Sequence, residues 1–222
     1  MNEPKIKSFL DLHQTLSQFI GKNVIFRGVK DVRYKLIPKM GRVKGLELTK
    51  LLSLEQKIFL TFKKGARPYL DSLPNDDWDW IALAQHHGLP TRLLDWTRNP
   101  LVGTFFAVEE PRDVDSAVYV YENGQYVDIT AGGSPFGVED VRIFAPFHVT
   151  RRISVQAGLF TIHSHPWKEF EDSSISVLTI AKDAREKIKT SLYSYGVDRA
   201  MLFPDLDGLA KHIGWVSGVF EG

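Results

Sequence analysis

Hydrophobic and polar positions change period several times along the chain, and the changes mark out its elements. In IKSFLDLHQTLSQFIG the apolar positions Ile6, Phe9, Leu10, Leu12, Leu16 and Phe19 fall close to a helical period and stop at Gly21. NVIFRGV is short and β-branched, which predicts a strand with Arg27 near its end. Leu48, Leu51, Leu52, Leu54, Ile58, Phe59 and Phe62 predict a long helix from Leu46 to Lys64, stopped by Gly65. A further helix, DDWDWIALAQHHG, begins at Asp76 or Asp77 and ends on Gly88, so that His86 and His87 occupy its last turn. TRLLDW then reads as a strand, and Asn99-Pro100 supplies an N-cap and a first-turn proline for the apolar helix LVGTFFAVEE.

Beyond this point SAVYVYEN predicts a strand, and the glycine-rich stretch 124–138 predicts a long loop. VRIFAPFHV, RRISVQAGLFTIH and SISVLTIA predict three more strands. DAREKIKTSLYSYGV predicts a helix capped by Asp183, and AMLFPDLDGLAKHIGWV a short strand running into a helix. No repeat or linker divides the chain. The expected fold is α+β: one domain over residues 1–222 with a central mixed or antiparallel sheet and a helical insertion at about 45–90.

Composition narrows the functional classes. With 222 residues, 43% hydrophobic and 25% charged, the chain is long enough for a core without staples. It has no cysteine, which removes disulfides and thiolate chemistry and suits a reducing compartment. MNEPKIKSFL lacks the apolar run of a signal peptide, and no membrane-length apolar run exists, so the expectation is a soluble, cytoplasmic protein without a membrane partner. Lys plus Arg is 28 against 27 for Asp plus Glu, a balance that gives no general attraction to nucleic acid. The basic clusters in RVKGLELTK and FKKGARPYL read as solvated faces.

Several chemistries can be weighed on residue types. His86, His87 and Asp95, or His163 and His165, are metal-ligand types, but adjacent histidines on a helix point about 100° apart and lone histidines more often satisfy backbone groups; no metal site is assigned. Neither a GxSxG elbow nor a glycine-rich phosphate loop is present. What stands out is polar residues at strand ends. Arg27 closes one strand with Gly28 beside it to admit a close ligand. Arg92, Asp95, Trp96 and Thr97 end a second at a capped helix, and Ser154 and Gln156 share one face of a third. An arginine there can hold a diphosphate, the capped helix start adds amide donors, and Trp96 and Phe160 can stack a planar ring. The same residues also suit a buried ion pair of Arg27 or Arg92 with Asp95 that fastens strands.

FRG at Phe26–Gly28, the block QHHGLPTRLLDWTRNPLVGTFFA, RISVQAGLFTIH and LFPDLDGLAKHI resemble, in this order, the FRG domain, a family of bacteria and phages named for its (F/Y)RG motif. A second resemblance is to the ADP-ribosyltransferase fold. Arginine-specific members open with a strand like VIFRG, whose arginine holds NAD, and continue with a Ser/Thr-bearing strand to which LLDWT is similar. They close with a strand carrying a catalytic glutamate, where ISVQAGLF supplies Gln156; Asp95, Glu139, Asp140, Asp205 or another acid would then have to provide the carboxylate.

This resemblance implies NAD as substrate, transfer of ADP-ribose to a protein or nucleic-acid acceptor or release of nicotinamide, and the role of a toxin or antiphage effector. It implies catalytic work for Gln156, Asp95 and His87, and cofactor binding by Arg27, Gly28, His86, Thr91, Arg92, Trp96, Thr97, Ser154 and Phe160. The alternative is a non-catalytic module in which the same pocket recognises a nucleotide or nucleic-acid end. A lesser third option is a nuclease using His86 and His87 as acid and base.

Overall fold

The computed structural model describes residues 5–147 and 150–219. Six strands form one antiparallel sheet: β1 (Val24–Val29), β2 (Leu93–Thr97), β3 (Ser116–Glu122), β4 (Arg142–Phe144), β5 (Gly158–Ile162) and β6 (Ile175–Ile180), in the order β4-β5-β2-β1-β3-β6. The helices are α1 (Phe9–Ser17), α2 (Leu48–Ala66), α3 (Asp77–His86), α4 (Pro100–Val108), α5 (Arg151–Val155), α6 (Arg185–Ser194), α7 (Arg199–Leu202) and α8 (Leu206–Val216). The fold is therefore α+β, and its sheet is antiparallel rather than mixed. The helical stretch expected at about 45–90 is present as α2 and α3.

Strand alternation assigns the two faces. Phe26, Val118, Val120 and Ile180 point to one side, where α1, α4 and α6 cover the β1-β3-β6 half with Leu12, Val102, Phe105 and Ile188. On the same side Leu93, Phe160, Ile162 and Phe144 meet Trp78, Ile81 and Phe59 of α3 and α2, which cover the other half. The opposite face buries Ile25, Leu94, Trp96, Tyr121 and Leu159 beneath Leu36 and Phe170 from connecting segments. One face thus carries two separate groups of helices.

Each group is held by a specific contact. A Cβ added at Gly28 would lie 2.0 Å from the Gly103 carbonyl oxygen and 2.6 Å from the Ala107 amide nitrogen. Gly28 was expected to admit a ligand; it admits helix α4. In the other group Arg92 donates from Nε to Glu55 Oε1 at 3.0 Å and from Nη2 to Oε2 at 2.6 Å, with both side chains under 5% exposed. This bidentate pair fastens α2 to the start of β2. Arg92, expected in a ligand pocket or against Asp95, has Glu55 as its partner.

Three further expectations are corrected. RRISVQAGLFTIH is not one strand: Thr150 accepts from the Ile153 amide and starts α5, and Ala157, at φ 46°, turns the chain into β5. Ser154 and Gln156 therefore do not share a strand face. AML lies in the short helix α7, capped by Asp198, because that carboxylate accepts from the Met201 amide at 3.0 Å. The residue before α6 is Ala184, and Asp183 sits in a preceding 3-10 turn rather than capping the helix. Of the run VRIFAPFHV, β4 contains Arg142–Phe144, and positions 148 and 149 lie outside the described residues.

Two substitutions test these anchors by urea denaturation. Gly28→Ala should destabilise the fold by about 3 kcal/mol or more, beyond ordinary overpacking because the added carbon meets backbone; an effect under about 0.5 kcal/mol would contradict the assigned packing. Glu55→Ala, which strands the Arg92 guanidinium in the core, should cost about 3–5 kcal/mol, and unchanged stability would mean that the pair is not a fastener.

Candidate functional site

The gap between the two helix groups is a cleft of about 820 Å³. Its position follows from sheet geometry. β1 pairs with β3 along all of Val24–Val29, but with β2 only at Phe26↔Thr97. Past that point the strands part, and Arg27 donates from Nη1 to the Asp95 carbonyl across the opening. The same nitrogen lies 3.7 Å from Asp95 Oδ2. The Arg27 side chain is 17% exposed and that of Asp95 63%, so this is not the buried strand fastener that residue types alone allowed. One guanidinium is largely desolvated beside an accessible carboxylate.

The end of α3 supplies the facing wall. Asp76 caps the helix start, accepting from the Asp79 amide at 2.9 Å. At the other end the Gly88 amide donates to the Gln85 carbonyl, and the Leu89 amide to the Ala84 carbonyl. Gly88, at φ 85°, makes this reversal without steric penalty. The termination fixes Gln85, His86 and His87 over β2. Gln85 Nε2 donates to Asp95 Oδ1 and Oδ2 at 3.1 and 3.2 Å, while the buried Thr91 hydroxyl donates to Gln85 Oε1 at 2.6 Å. Thr91 thereby fixes the amide orientation, Gln85 fixes the carboxylate, and Asp95 faces the cleft.

The third side is α5 and its C-cap. The Thr97 hydroxyl donates to the Gln156 carbonyl at 2.7 Å and accepts from the Asn99 amide at 3.0 Å, and Gln156 Nε2 donates to the Leu202 carbonyl at 2.9 Å. These bonds tie β2, α5 and α7 together. The amide nitrogen expected to work on substrate is thus anchored to α7. Arg152, in the first turn of α5, places its guanidinium carbon 4.3 Å from the Phe203 ring centroid and lines the cleft. It is half-buried, which lowers its pKa, with Asp95 and Asp205 opposing the shift.

The cleft brings together Arg27, Gly28, His86, His87, Asp95, Trp96, Thr97, Gln156 and Phe160. Thr91 stands one hydrogen bond behind it, Arg92 is in the core with Glu55, and Ser154 is exposed on α5. Trp96 and Phe160 line the cleft without offering a free ring face. The Trp96 indole is 3% exposed and donates to Thr161 Oγ1 at 2.9 Å, and Phe160 packs on Phe144 with ring centroids 6.0 Å apart. Of the alternative acids, Asp205 caps α8 by accepting from the Gly208 amide, and Asp140 lies 3.2 Å from Arg142. Gln85, Arg152, Arg42 and Tyr34 were not foreseen in the cleft. Gln85 was legible as one helical position before the histidines; Arg152 required seeing that Thr150 starts a helix.

The histidines differ in electrostatics. Burial first, then Arg152 and His87, push the His86 pKa down to about 4, so the ring is neutral at pH 7. Its centroid lies 4.9 Å from that of His87, edge to face. His163 is not a cleft residue: it is 1% exposed, and its Nε2 shares a 2.8 Å hydrogen bond with Thr161 Oγ1. His165 instead packs its ring on Trp167, at 5.2 Å between centroids. Among the described residues no three His, Asp or Glu side chains converge as metal ligands.

An antiparallel α+β sheet with a cationic cleft where two central strands part defines the class of protein, and the sequence comparison relates one segment of it to a known family. Residues 22–116, 95 of the 222, match the FRG domain. The match spans β1, α2, α3, β2 and α4, and with them Arg27, Gln85, the histidine pair and Asp95, whereas Arg152 and Gln156 lie beyond it. No curated protein and no solved structure matches the chain. No helix among the described residues is long and apolar enough to cross a membrane.

His163 gives a pH prediction. Burial, reinforced by Arg27 and Arg92, pushes its pKa from the ordinary 6.5 down to about 3. The unfolded chain takes up a proton below pH 6.5 that the folded chain refuses until about pH 3. Stability is therefore lost as pH falls through this window, at up to about 1.4 kcal/mol per pH unit from this group. In urea melts at pH 6, 5 and 4, His163→Gln should show a shallower decline than wild type; parallel declines would contradict the assignment.

Proposed function

We propose that the cleft binds a dinucleotide of the NAD type and that the carboxylate of Asp95 stabilises the ribosyl cation formed as nicotinamide leaves, with water or a macromolecular nucleophile as acceptor. The observation that carries this reading is the juxtaposition of Arg27 and Asp95 at the mouth of the parted strands, 3.7 Å apart. A guanidinium held in a desolvated position suits a diphosphate, and the cleft's 820 Å³ suits a dinucleotide.

In this reading Arg27 and Arg152 hold phosphate oxygens. Loss of nicotinamide breaks the glycosidic C–N bond and leaves positive charge on the ribose, which an ionised carboxylate stabilises better than an amide. Asp95 is suited to the task because Gln85 fixes both of its oxygens while leaving the group accessible. Gln156, assigned that position by the resemblance, instead has the positioning role its bond to Leu202 supports. His86, neutral at pH 7, lies at the mouth where the nucleophile arrives and offers an uncharged hydrogen-bonding ring. Capture of the ribosyl cation then forms the new bond and releases one proton. The chain acts in this reading as a transferase or glycohydrolase of the toxin or antiphage type.

A nucleotide or nucleic-acid module is the second reading, favoured by the number of cations at the rim. Lys30 and Arg112 are, however, paired with Glu110, and Lys35 with Glu169. Pairing reduces the charge available to a polyanion.

Calorimetric titration with NAD beside a nicotinamide-release assay separates these readings. Wild type should bind and release. Asp95→Asn should bind NAD with little change and lose release by about 10²–10³-fold; Arg27→Ala should lose binding while retaining its far-UV spectrum. Absence of NAD binding by the wild type overturns the reading, and single-stranded RNA binding that falls steeply between 50 and 200 mM salt would replace it with the module.

A further inference from the structure

A second cavity, of about 310 Å³, lies between the end of α4 and helices α6, α7 and α8. Its wall is largely apolar, with Phe105, Val197, Tyr193 and Trp215 contributing. Tyr193 and Trp215 meet edge to face at 5.6 Å, and Lys189 Nζ stands 4.5 Å from the Trp215 ring centroid.

The polar groups of this wall are unbalanced. Lys189 is 8% exposed and has no hydrogen-bond acceptor or carboxylate partner among the described residues. Arg199 Nε and His212 Nδ1 are buried without hydrogen-bond partners; the nearest carboxylate oxygen to the latter, on Asp198, is 3.6 Å away. The acids of the wall have cationic or backbone neighbours, although Glu109 Oε1 is itself buried without a hydrogen bond: Glu109 lies against Arg199, Glu110 pairs with Lys30 and Arg112, and Asp198 accepts from the Met201 amide at the start of α7. Buried polar atoms without partners are costly, and the Lys189 ammonium opens onto the cavity without a hydrogen bond, with Glu186 as the carboxylate acting on it. The ring of Trp215 compensates Lys189 only in part. Consistently, burial lowers the Lys189 pKa, opposed by Glu186.

We propose that this cavity is a second ligand site, separate from the cleft, that binds a small organic anion: an apolar body against Tyr193, Phe105 and Val197, and a carboxylate or phosphate group on Lys189. The missing acceptor atoms are those an oxyanion brings, and the apolar wall excludes a bare inorganic ion as the best fit. This site does not depend on what the cleft binds.

The test titrates the full chain with phenyl phosphate and with benzoate, following amide and indole shifts by ¹H–¹⁵N NMR. Saturable shifts are expected at Tyr193, His212 and Trp215, for both probes if any oxyanion suffices and for one if its geometry is selected. Lys189→Met, which keeps the apolar stem, should weaken binding about tenfold or more, and Arg27→Ala should leave it within about twofold. No saturable shifts at these residues, affinity unchanged in Lys189→Met, or binding abolished by Arg27→Ala would each overturn the proposal. Should Lys189→Met fail to fold, the wild-type shift map decides: shifts on α6 and α8 support the site, and shifts confined to the cleft remove it.

Discussion

The contact of β1 with α4 admits no side chain at Gly28, and much of the architecture follows from it. With α4 pressed onto the β1-β3-β6 half of one face, and α2 and α3 clamped onto the other half by the buried Glu55–Arg92 pair, the helices leave a cleft between them in which Asp95 is exposed and Phe26 and Thr97 form part of the buried lining. A sheet face covered by one continuous group of helices would have no such cleft. The cleft is the space between two independently fastened halves, located where the ladder between β1 and β2 is reduced to one pair.

Within the cleft the polar groups are positioned by hydrogen bonds rather than by packing alone. Thr91 orients Gln85, Gln85 holds Asp95, and Arg27 reaches the backbone of the same aspartate. Each bond limits the rotamers of the next group, so that a carboxylate with a 63% exposed side chain is nevertheless fixed in direction. Fixing an exposed charge is useful where charge develops on a bound molecule, because no reorganisation is needed at the moment of reaction. The two arginines of the region have opposite duties: Arg92 is a fastener with its charge spent on Glu55, and Arg27 keeps a face toward the cleft.

The C-terminal helices connect the cleft to the smaller cavity. Gln156 anchors α5 to the Leu202 carbonyl of α7, and Phe203, just beyond, lies beneath the guanidinium groups of both Arg152 and Arg199. Arg152 lines the cleft and Arg199 the cavity. One aromatic ring therefore stands between the two spaces, and Glu110 contributes to both walls.

Local rules determined much of this protein. The helical periods, Asn99 as a cap, a helix start at Asp76 or Asp77, Gly88 as a helix stop and the strand NVIFRGV were all readable because each depends on residues within a few positions of one another. So was the grouping of Arg27, His86, His87 and Asp95 near strand and helix ends. Tertiary structure decided the rest. That Arg92 pairs with Glu55 depends on α2 crossing the start of β2, 37 positions away in sequence, and no pattern around either residue announces it. That Gly28 packs against a helix depends on where α4 lands. The division of RRISVQAGLFTIH into a helical turn and a strand was decided by Thr150 and by the left-handed backbone at Ala157, which overrode a β-branched pattern that is ambiguous at that length. Sequence specifies what each segment prefers; only packing specifies which side chains have their charge and hydrogen bonds consumed by the fold and which retain them for a ligand.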